Sequence, residues 1–438
     1  MRVAAIEDKL AQMNVTEEEM RAYQKVASLM AGRTPNTHFN PLEPGVLGNP
    51  YPIYHQLQSQ HPIYADPRFG WVISRYADVS AVLRDPYLSI PCITPDIPVP
   101  EPLQAVADEV RALRRYLQLI VEGTGRPEHG RLRSLVVKGL SPIIAERMRD
   151  STQHIVDDLL SSVCDRRHMD VISDFAFKLP IMIIAQLLSI PKSDLKFFHD
   201  LAGDITALFS LLPTSEYTDT IRKAHRRQRE LVDYLRHAVV SRRGKPDDDL
   251  ISKLIRATRY DNELGDEQII AKCVHLILAG HETTMNLIGN ATLALLKHPS
   301  ELRTLLDEPA LIPTALEELL RFESPVQAVV RQAMTNREIR GHLILRGEHI
   351  LVLLGAANRD PFEFSEPDQL NLRRRPNRHI AFGHGAHFCP GASIARLAGQ
   401  IAIQSLFERF PTLRLVDDTP RWRDNFYLRG LTELRVAW

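Results

Sequence analysis

Phe382-Gly383-His384-Gly385-Ala386-His387-Phe388-Cys389-Pro390-Gly391 puts three glycines, two histidines and one of the chain's four cysteines into ten residues. Glycine at this density fits a backbone held in conformations that other residues resist. After Gly391, the residues Ile394, Leu397, Ala398 and Ile401 recur with helical spacing. Cys389 is therefore expected just ahead of a helix N-terminus, with Pro390 near the first-turn position. The helix dipole there favours an anion. A free thiol has a pKa of about 8.5, and a helix N-terminus plus a bound metal would hold it as thiolate. Three readings compete. One is a lone buried cysteine. The second is a zinc site using His384, His387 and Cys389, although the spacing matches no common zinc pattern and no second ligand cluster is visible. The third is axial ligation of haem iron by a single thiolate.

Upstream, Asp266 can cap a helix that starts near Glu267 and runs to about Lys297, ahead of His298-Pro299. Thirty-one residues would span about 46 Å. A helix this long and apolar on several sides should cross the core. Near its middle lies Ala279-Gly280-His281-Glu282-Thr283-Thr284. Ala279, Gly280 and Thr283 share a face with almost no side-chain bulk beside one hydroxyl. The Thr283 hydroxyl can bond the Ala279 carbonyl and bend the helix. Either this notch lets another helix cross closely, or a small molecule lies against it while Glu282 and Thr283 handle protons.

The rest of the chain fits a mainly α protein with a minor β part. Pro62-Ile63-Tyr64 and Gly70-Trp71-Val72-Ile73-Ser74 read as a small hairpin, and Ala77–Arg84 as a helix. Five prolines between Pro91 and Pro102 mark a surface loop. Helical patterns dominate from there to about residue 320, broken by a loop at Leu211–Thr218. Strand-like runs return at Ile344–Leu354 and Leu413–Val416. Residues 1–38 look like an added segment, with a short helix expected from Glu17 to about Ala31.

Composition narrows the class. The 438 residues are 44% hydrophobic and 25% charged, which are ordinary globular values and fit neither disorder nor a fibrous repeat. Fifty-four basic residues balance 54 acidic ones, so no global charge draws nucleic acid or an anionic membrane. Four scattered cysteines are too few for a disulfide framework and suggest a reducing compartment. The longest apolar stretches run about a dozen residues, against the roughly 20 that a membrane span needs. A soluble, cytoplasmic protein without a membrane segment is expected.

Phe382–Gly391 resembles the cysteine-loop motif of the cytochrome P-450 superfamily, the haem–thiolate monooxygenases. Ala279–Thr284 resembles that family's oxygen-activating helix motif, and Glu318-Leu319-Leu320-Arg321 its ExxR motif. Each is weak alone; the three in this order are specific. The similarity runs from about Asn49 to Trp438 and is closest to soluble bacterial members. It implies one large haem-centred domain over residues 39–438 in place of the two or three domains that length alone suggests.

The resemblance also implies roles. Cys389 would be the proximal ligand of the iron of haem b, its thiolate promoting O–O cleavage. Glu282 and Thr283 match the acid–alcohol pair that delivers protons. Ala279, Gly280 and Gly391 would lie against the cofactor. Glu318 and Arg321 match a structural ion pair, with Arg374 as third member. His129 and Arg133 match donors to one haem propionate, and Arg331 and His387 donors to the other. The substrate pocket would be lined by the Pro91–Pro102 loop, the Leu211–Thr218 region, the long helix, Val326–Val330 and the turn near Leu428. His275 and Gln327 would point into it as polar groups.

One position departs from the family. The residue after the cysteine is usually apolar but not proline; here it is Pro390, which has no N–H to offer the sulfur. The implied reaction uses O2 to hydroxylate or epoxidise a small organic substrate, in specialised, natural-product metabolism. The implied electron donor is an acidic ferredoxin with its NAD(P)H-dependent reductase. Asn371–Gln400, with five arginines and no Asp or Glu, is its expected docking face. Oxidative coupling, desaturation or peroxide-driven chemistry on the same scaffold, and a non-enzymatic haem sensor or carrier, are the alternatives.

Overall fold

In the computed structural model, which describes residues 39–41, 43–66, 68–91, 99, 101–117, 133, 136–137, 139–206, 218–261 and 265–438, the expected hairpin forms. Strands β1 (Ile63–Asp66) and β2 (Gly70–Ile73) pair antiparallel, with Ile63 opposite Ile73 and Asp66 opposite Gly70. Three more strands extend this sheet: β3 (Leu88–Ser89), β4 (Ala328–Ala333) and β5 (His349–Leu353). β2 runs parallel to β5, β5 pairs antiparallel with β4, and β3 closes the far edge. The expected strand Ile344–Leu354 is in fact two, His342–Ile344 and His349–Leu353. A turn divides them, with Gly347 at φ 87°, a conformation that costs glycine little. The run Leu413–Val416 shortens to Arg414–Leu415, paired with Arg435–Ala437. The expected helix at Glu17–Ala31, and the segment 1–38 that holds it, lie outside the described residues.

Everything else of size is helix. Beside the sheet, α1 (Tyr76–Arg84) carries an apolar face of Val79, Val82 and Leu83 onto Ile73, Ile350 and Val352. The helices that frame the site are α2 (Lys178–Leu187), α3 (Asp266–Lys297), α4 (Ile312–Phe322) and α5 (Ala392–Arg409), and a 27-residue helix, Thr218–Gly244, packs outside α3. α3 has 32 residues and is capped by Gly265, not by Asp266 as the sequence suggested. The Gly265 N–H donates to Gln268 Oε1 at 3.2 Å, while Asp266 pairs with Arg243. α3 crosses the interior as its length requires. Its N-terminal half packs Ile269, Ile270, Val274 and Ile277 with Ile184, Leu231 and Leu254. Its C-terminal half packs Met285, Ile288 and Ala291 with Leu319 of α4 and Leu397 and Ile401 of α5. Burial of such side chains contributes about 25 cal/mol per Å2 of apolar surface. The chain is thus mainly α with a minor β part. Among the described residues no helix is long and apolar enough to cross a membrane.

Candidate active site

The middle of α3 breaks the burial that holds on either side. Ala279 is exposed and Gly280 and Thr283 are half-buried, whereas Ile277, His281 and Glu282 are buried. The Thr283 hydroxyl donates to the Ala279 carbonyl at 2.7 Å, as the spacing predicts. The close approach of another helix is realised on one side of this notch. A Cβ on Gly280 would lie 3.1 Å from Ile184 Cδ1, so Gly280 is taken up by the close approach of α2. Ala279, exposed among the described residues, and the half-buried Gly280 and Thr283 remain the surface that the resemblance assigns to the cofactor.

Glu282, next to that step, is 2% exposed. Burial pushes its carboxyl up to about 6, and the positive charge of Arg423 works against that rise. A carboxyl in this range can both hold and release a proton near neutral pH.

The cysteine loop is built by its glycines. Gly383 and Gly385 sit at φ 72° and 70°, where a side chain would be strained. Cys389 N–H donates to the Phe382 carbonyl at 2.9 Å, which closes the loop on itself. The helix begins at Ala392, with Gly391 as its cap, so Pro390 stands one residue ahead of the cap and not in the first turn. The Cys389 thiol is half-buried, and Gly391 lies beside it: a Cβ there would be 3.9 Å from the sulfur. His384 turns its Nδ1 toward the Ser80 hydroxyl at 3.5 Å, away from any shared ligand set. Among the described residues no group of three or more His, Cys, Asp or Glu could hold a metal ion.

Behind this loop lies a buried charge network. Glu318 and Arg321 are both 0% exposed. Arg321 donates Nε to Glu318 Oε2 at 2.7 Å and Nη2 to Oε1 at 2.8 Å. Arg374 Nε reaches both carboxylate oxygens at 3.1 Å. The Asn371 N–H and the Asn377 amide donate to the same carboxylate at 3.0 and 3.2 Å. The remaining guanidinium hydrogens go to the carbonyls of Asn358, Pro367, Gln369, Ser365 and Glu366. A buried ion pair is tolerated when every lone pair and hydrogen is used in this way. The ExxR pair and Arg374 therefore come together as expected.

A second clamp was not anticipated. Glu317, beside Glu318, accepts two bonds from Arg396 and one from His379. These partners hold its carboxyl down at about 2 against the upward push of burial. Arg396 also lies over the Phe382 ring, 4.6 Å from its centroid. The sequence signal was the doubled acid Glu317-Glu318, of which only the second belongs to the ExxR pattern.

The other expected site residues divide. Arg133 donates to the Phe388 carbonyl, at the cysteine loop. Arg331 is buried in β4, with Nη1 bonded to the Val330 carbonyl, and His387 closes the short turn Gly385–His387. Val330 is half-buried on the same strand, and His275 is half-buried on α3, four residues before Ala279. Gln327 does not reach a pocket. It is 2% exposed, accepts from the Tyr54 hydroxyl at 3.0 Å and donates to the Ser324 carbonyl at 2.7 Å. Gly355 packs directly on it, so it is a core amide. His129 and most of both expected pocket loops, Pro91–Pro102 and Leu211–Thr218, lie outside the described residues.

The residues that are described suit a flat, dianionic, iron-centred macrocycle. The uncovered Ala279–Thr283 step offers a surface to lie against. A thiol stands ahead of a helix N-terminus, and Arg133, Arg331 and His387 are the groups that would supply donors for two carboxylates. Fold and donor set together define a haem–thiolate protein.

Comparison with known proteins gives the family. The family model described as Cytochrome P450 matches residues 148–427. The biotin biosynthesis cytochrome P450 of Bacillus subtilis is 37% identical over 399 residues, covering 90% of this chain and 97% of that one. The polyketide biosynthesis cytochrome P450 PksS of the same organism is 37% identical over 411 residues, 89% and 96% of the two chains. A solved structure of P450BioI superposes with a TM-score of 0.82 at 34% identity, over 90% of this chain and all of that one. The chain belongs to the cytochrome P450 family. It is a haem b monooxygenase, and as such uses a substrate, O2 and a redox partner.

Proposed function

We propose that this P450 inserts one oxygen atom of O2 into a small organic molecule, by hydroxylation or epoxidation, in specialised metabolism. The observation that carries the proposal is the adjacent pair Glu282–Thr283 at the uncovered step of α3. Bound haem supplies the activation of O2. The chain supplies the protons. The Thr283 hydroxyl is held by donating to the Ala279 carbonyl and keeps acceptor lone pairs; on releasing that bond it can take a proton from one side while giving its own hydrogen to the other. Glu282, buried and with a raised pKa, is the reservoir next to it. Peroxide-driven chemistry would not need this pair, and neither would a haem sensor or carrier.

The names of the relatives support one substrate class as the first to consider. Two are named for biotin and polyketide biosynthesis, and one solved relative is a complex with an acyl carrier protein ligated to hexadec-9Z-enoic acid. An extended acyl or polyketide chain, free or on a carrier protein, is the first class to test. In this reading His275, one turn before Ala279, meets a polar group of such a chain, with Val330 as an apolar contact. The electron donor in this reading is a ferredoxin with its NAD(P)H-dependent reductase, and the compartment is the cytoplasm.

The test is a titration of the ferric holoenzyme with free and carrier-bound acyl chains, read by the spin-state shift. Turnover under isotopically heavy O2 follows. One heavy oxygen in the product supports the proposal. Turnover that releases only peroxide, with every chain that shifts the spectrum, sinks it.

A further inference from the structure

Two buried polar side chains, one turn apart on α3, have no hydrogen-bond partner among the described residues. Glu282 is 2% exposed and Asn286 1%. Neither carboxyl oxygen of Glu282, and neither the Oδ1 nor the Nδ2 of Asn286, has a hydrogen-bond partner among the described residues. Residues at this spacing are neighbours on the helix surface. Polar groups this deep are ordinarily bonded to protein or to ordered water. Asn290, one turn further, differs in part: its Oδ1 is also without a partner among the described residues, but its Nδ2 donates to the Arg429 carbonyl at 3.0 Å and ties α3 to the C-terminal segment. Asn286 makes no such tie with either end of its amide.

The surroundings of Asn286 are shaped around its amide. A Cβ on Gly430 would come within 1.9 Å of Asn286 Oδ1, so only glycine leaves the amide where it is. The Gly430 carbonyl accepts the backbone N–H of Arg423 at 2.9 Å. The Arg423 side chain is half-exposed. It donates Nε to the Leu431 carbonyl at 3.2 Å and brings Nη2 to 4.0 Å from Met285 Sδ. The pair therefore lies between the uncovered step of α3 and a cationic side chain that reaches the surface. A bridging water needs two to four polar partners, and a carboxyl and an amide side by side provide them.

We propose that Asn286 is a positioning residue for the Glu282 proton: the two side chains hold buried water between them, and this water resupplies Glu282 from the Arg423–Gly430 side. The inference rests on Glu282 being the proton donor of the proposed reaction. When Glu282 gives up its proton toward Thr283, the bridging water donates one of its own to the carboxylate. That water is restored by a proton from the water behind it, so charge and atoms balance.

The experiment is a crystal structure of the holoenzyme at a resolution that shows waters, joined to infrared spectroscopy of the Glu282 carboxyl band. Wild type, Asn286→Leu and Asn286→Ser are compared, and Glu282→Gln assigns the band. Expected is a water within hydrogen-bond distance of both side chains in wild type. It is lost in Asn286→Leu and retained in Asn286→Ser, with the band moving to higher frequency in the leucine variant alone. A direct Glu282–Asn286 hydrogen bond, a dry site in wild type, or a band unmoved by leucine overturns the proposal. If Asn286→Leu does not load haem, Gly430→Ala, which pushes the amide from its place, must move the band instead. Coupled turnover that persists in Glu282→Gln would end the proton role of Glu282 while leaving the water in place, so the two readings fail separately.

Discussion

Arg396 grips Glu317 with two parallel bonds of 2.7 Å, Nε to Oε1 and Nη2 to Oε2, and so ties α5, which follows the cysteine, to α4, which carries Glu318. Bidentate pairs of this kind are among the stronger charge-assisted bonds. The Glu317 carboxyl, held at about 2 against an ordinary 4.5, is depressed in the folded state. A depressed carboxyl contributes stability above its unfolded pKa and loses it as pH falls toward the folded value. The window is therefore pH 4.5 down to about 2. The full shift converts to about 3 kcal/mol, and the side chain's partial exposure makes the real figure smaller. Glu317→Gln is expected to lower the melting temperature at pH 7 and to flatten its fall in acid. Thermal melts from pH 7 to pH 3 check this; parallel curves for both proteins would refute it.

Glu282 gives the opposite sign. Its pKa is raised in the fold, from 4.5 to about 6. The buried carboxylate therefore costs stability once pH passes through that interval, by about 2 kcal/mol. Glu282→Gln should match wild type near pH 4.5 and be the more stable protein at pH 8. Its oxygenation should suffer as its stability gains, because an amide cannot cycle a proton. A loss of about a hundredfold in coupled product formation is the scale for removing a general acid. The pH limb near 6 should vanish with it, with electrons diverted to peroxide. Product and peroxide yields across pH 5 to 8, measured beside melting curves, give both answers from one variant.

The parts that could be read from the sequence are those that depend on local spacing. The notch at Ala279–Thr283, the helix after Gly391 and the Glu318–Arg321 pair all follow from periodicity or from motifs a few residues long. What escaped depends on distant segments meeting. Gln327 looked like a pocket residue until Tyr54 and Ser324 closed on its amide. The packing of Ile184 against Gly280 likewise joins residues far apart in sequence. The Glu317–Arg396–His379 clamp joins three positions whose separation in sequence reaches 79 residues, and the doubled acid Glu317-Glu318 marks only one of the three. Asn286 could have been noticed, since a polar residue four after Glu282 on a helix otherwise buried and apolar requires a reason.

The basic stretch Asn371–Gln400 is less available than its charge count suggested. Arg374 is buried on Glu318, Arg396 is held by Glu317, and Arg373 pairs with Glu308. Arg375, bonded to the Thr314 hydroxyl, and Arg378 are left exposed without an acidic partner among the described residues. If an acidic ferredoxin docks here, these two carry the steering. The double variant Arg375→Glu, Arg378→Glu should slow the first electron transfer by about tenfold at low salt, since steering acts chiefly on the rate of encounter. The difference should shrink toward 0.5 M salt as screening takes over. Stopped-flow reduction under carbon monoxide reads it directly, and equal rates for both proteins at low salt would remove these residues from the docking face.

Pro390 bears on the sulfur itself. Cys389 uses its own N–H on the Phe382 carbonyl, and Gly391 caps the next helix, so the residue between them stands where a backbone donor could reach the thiolate. Proline has no such donor. A hydrogen bond to a charged group contributes about 1.5–3 kcal/mol, but only the difference between ferric and ferrous states alters the potential. For one electron, about 1.4 kcal/mol corresponds to roughly 59 mV, so a fraction of one bond is worth tens of millivolts. The thiolate beside Pro390 should be the more electron-rich and the wild-type potential the lower. Pro390→Leu restores the N–H with an apolar side chain and should raise the potential by that amount while leaving the reduced carbon monoxide spectrum that of a thiolate-ligated haem. Spectroelectrochemical titration of both holoenzymes decides it. An unchanged potential would mean that Pro390 does no more than lead the chain into Gly391 and α5.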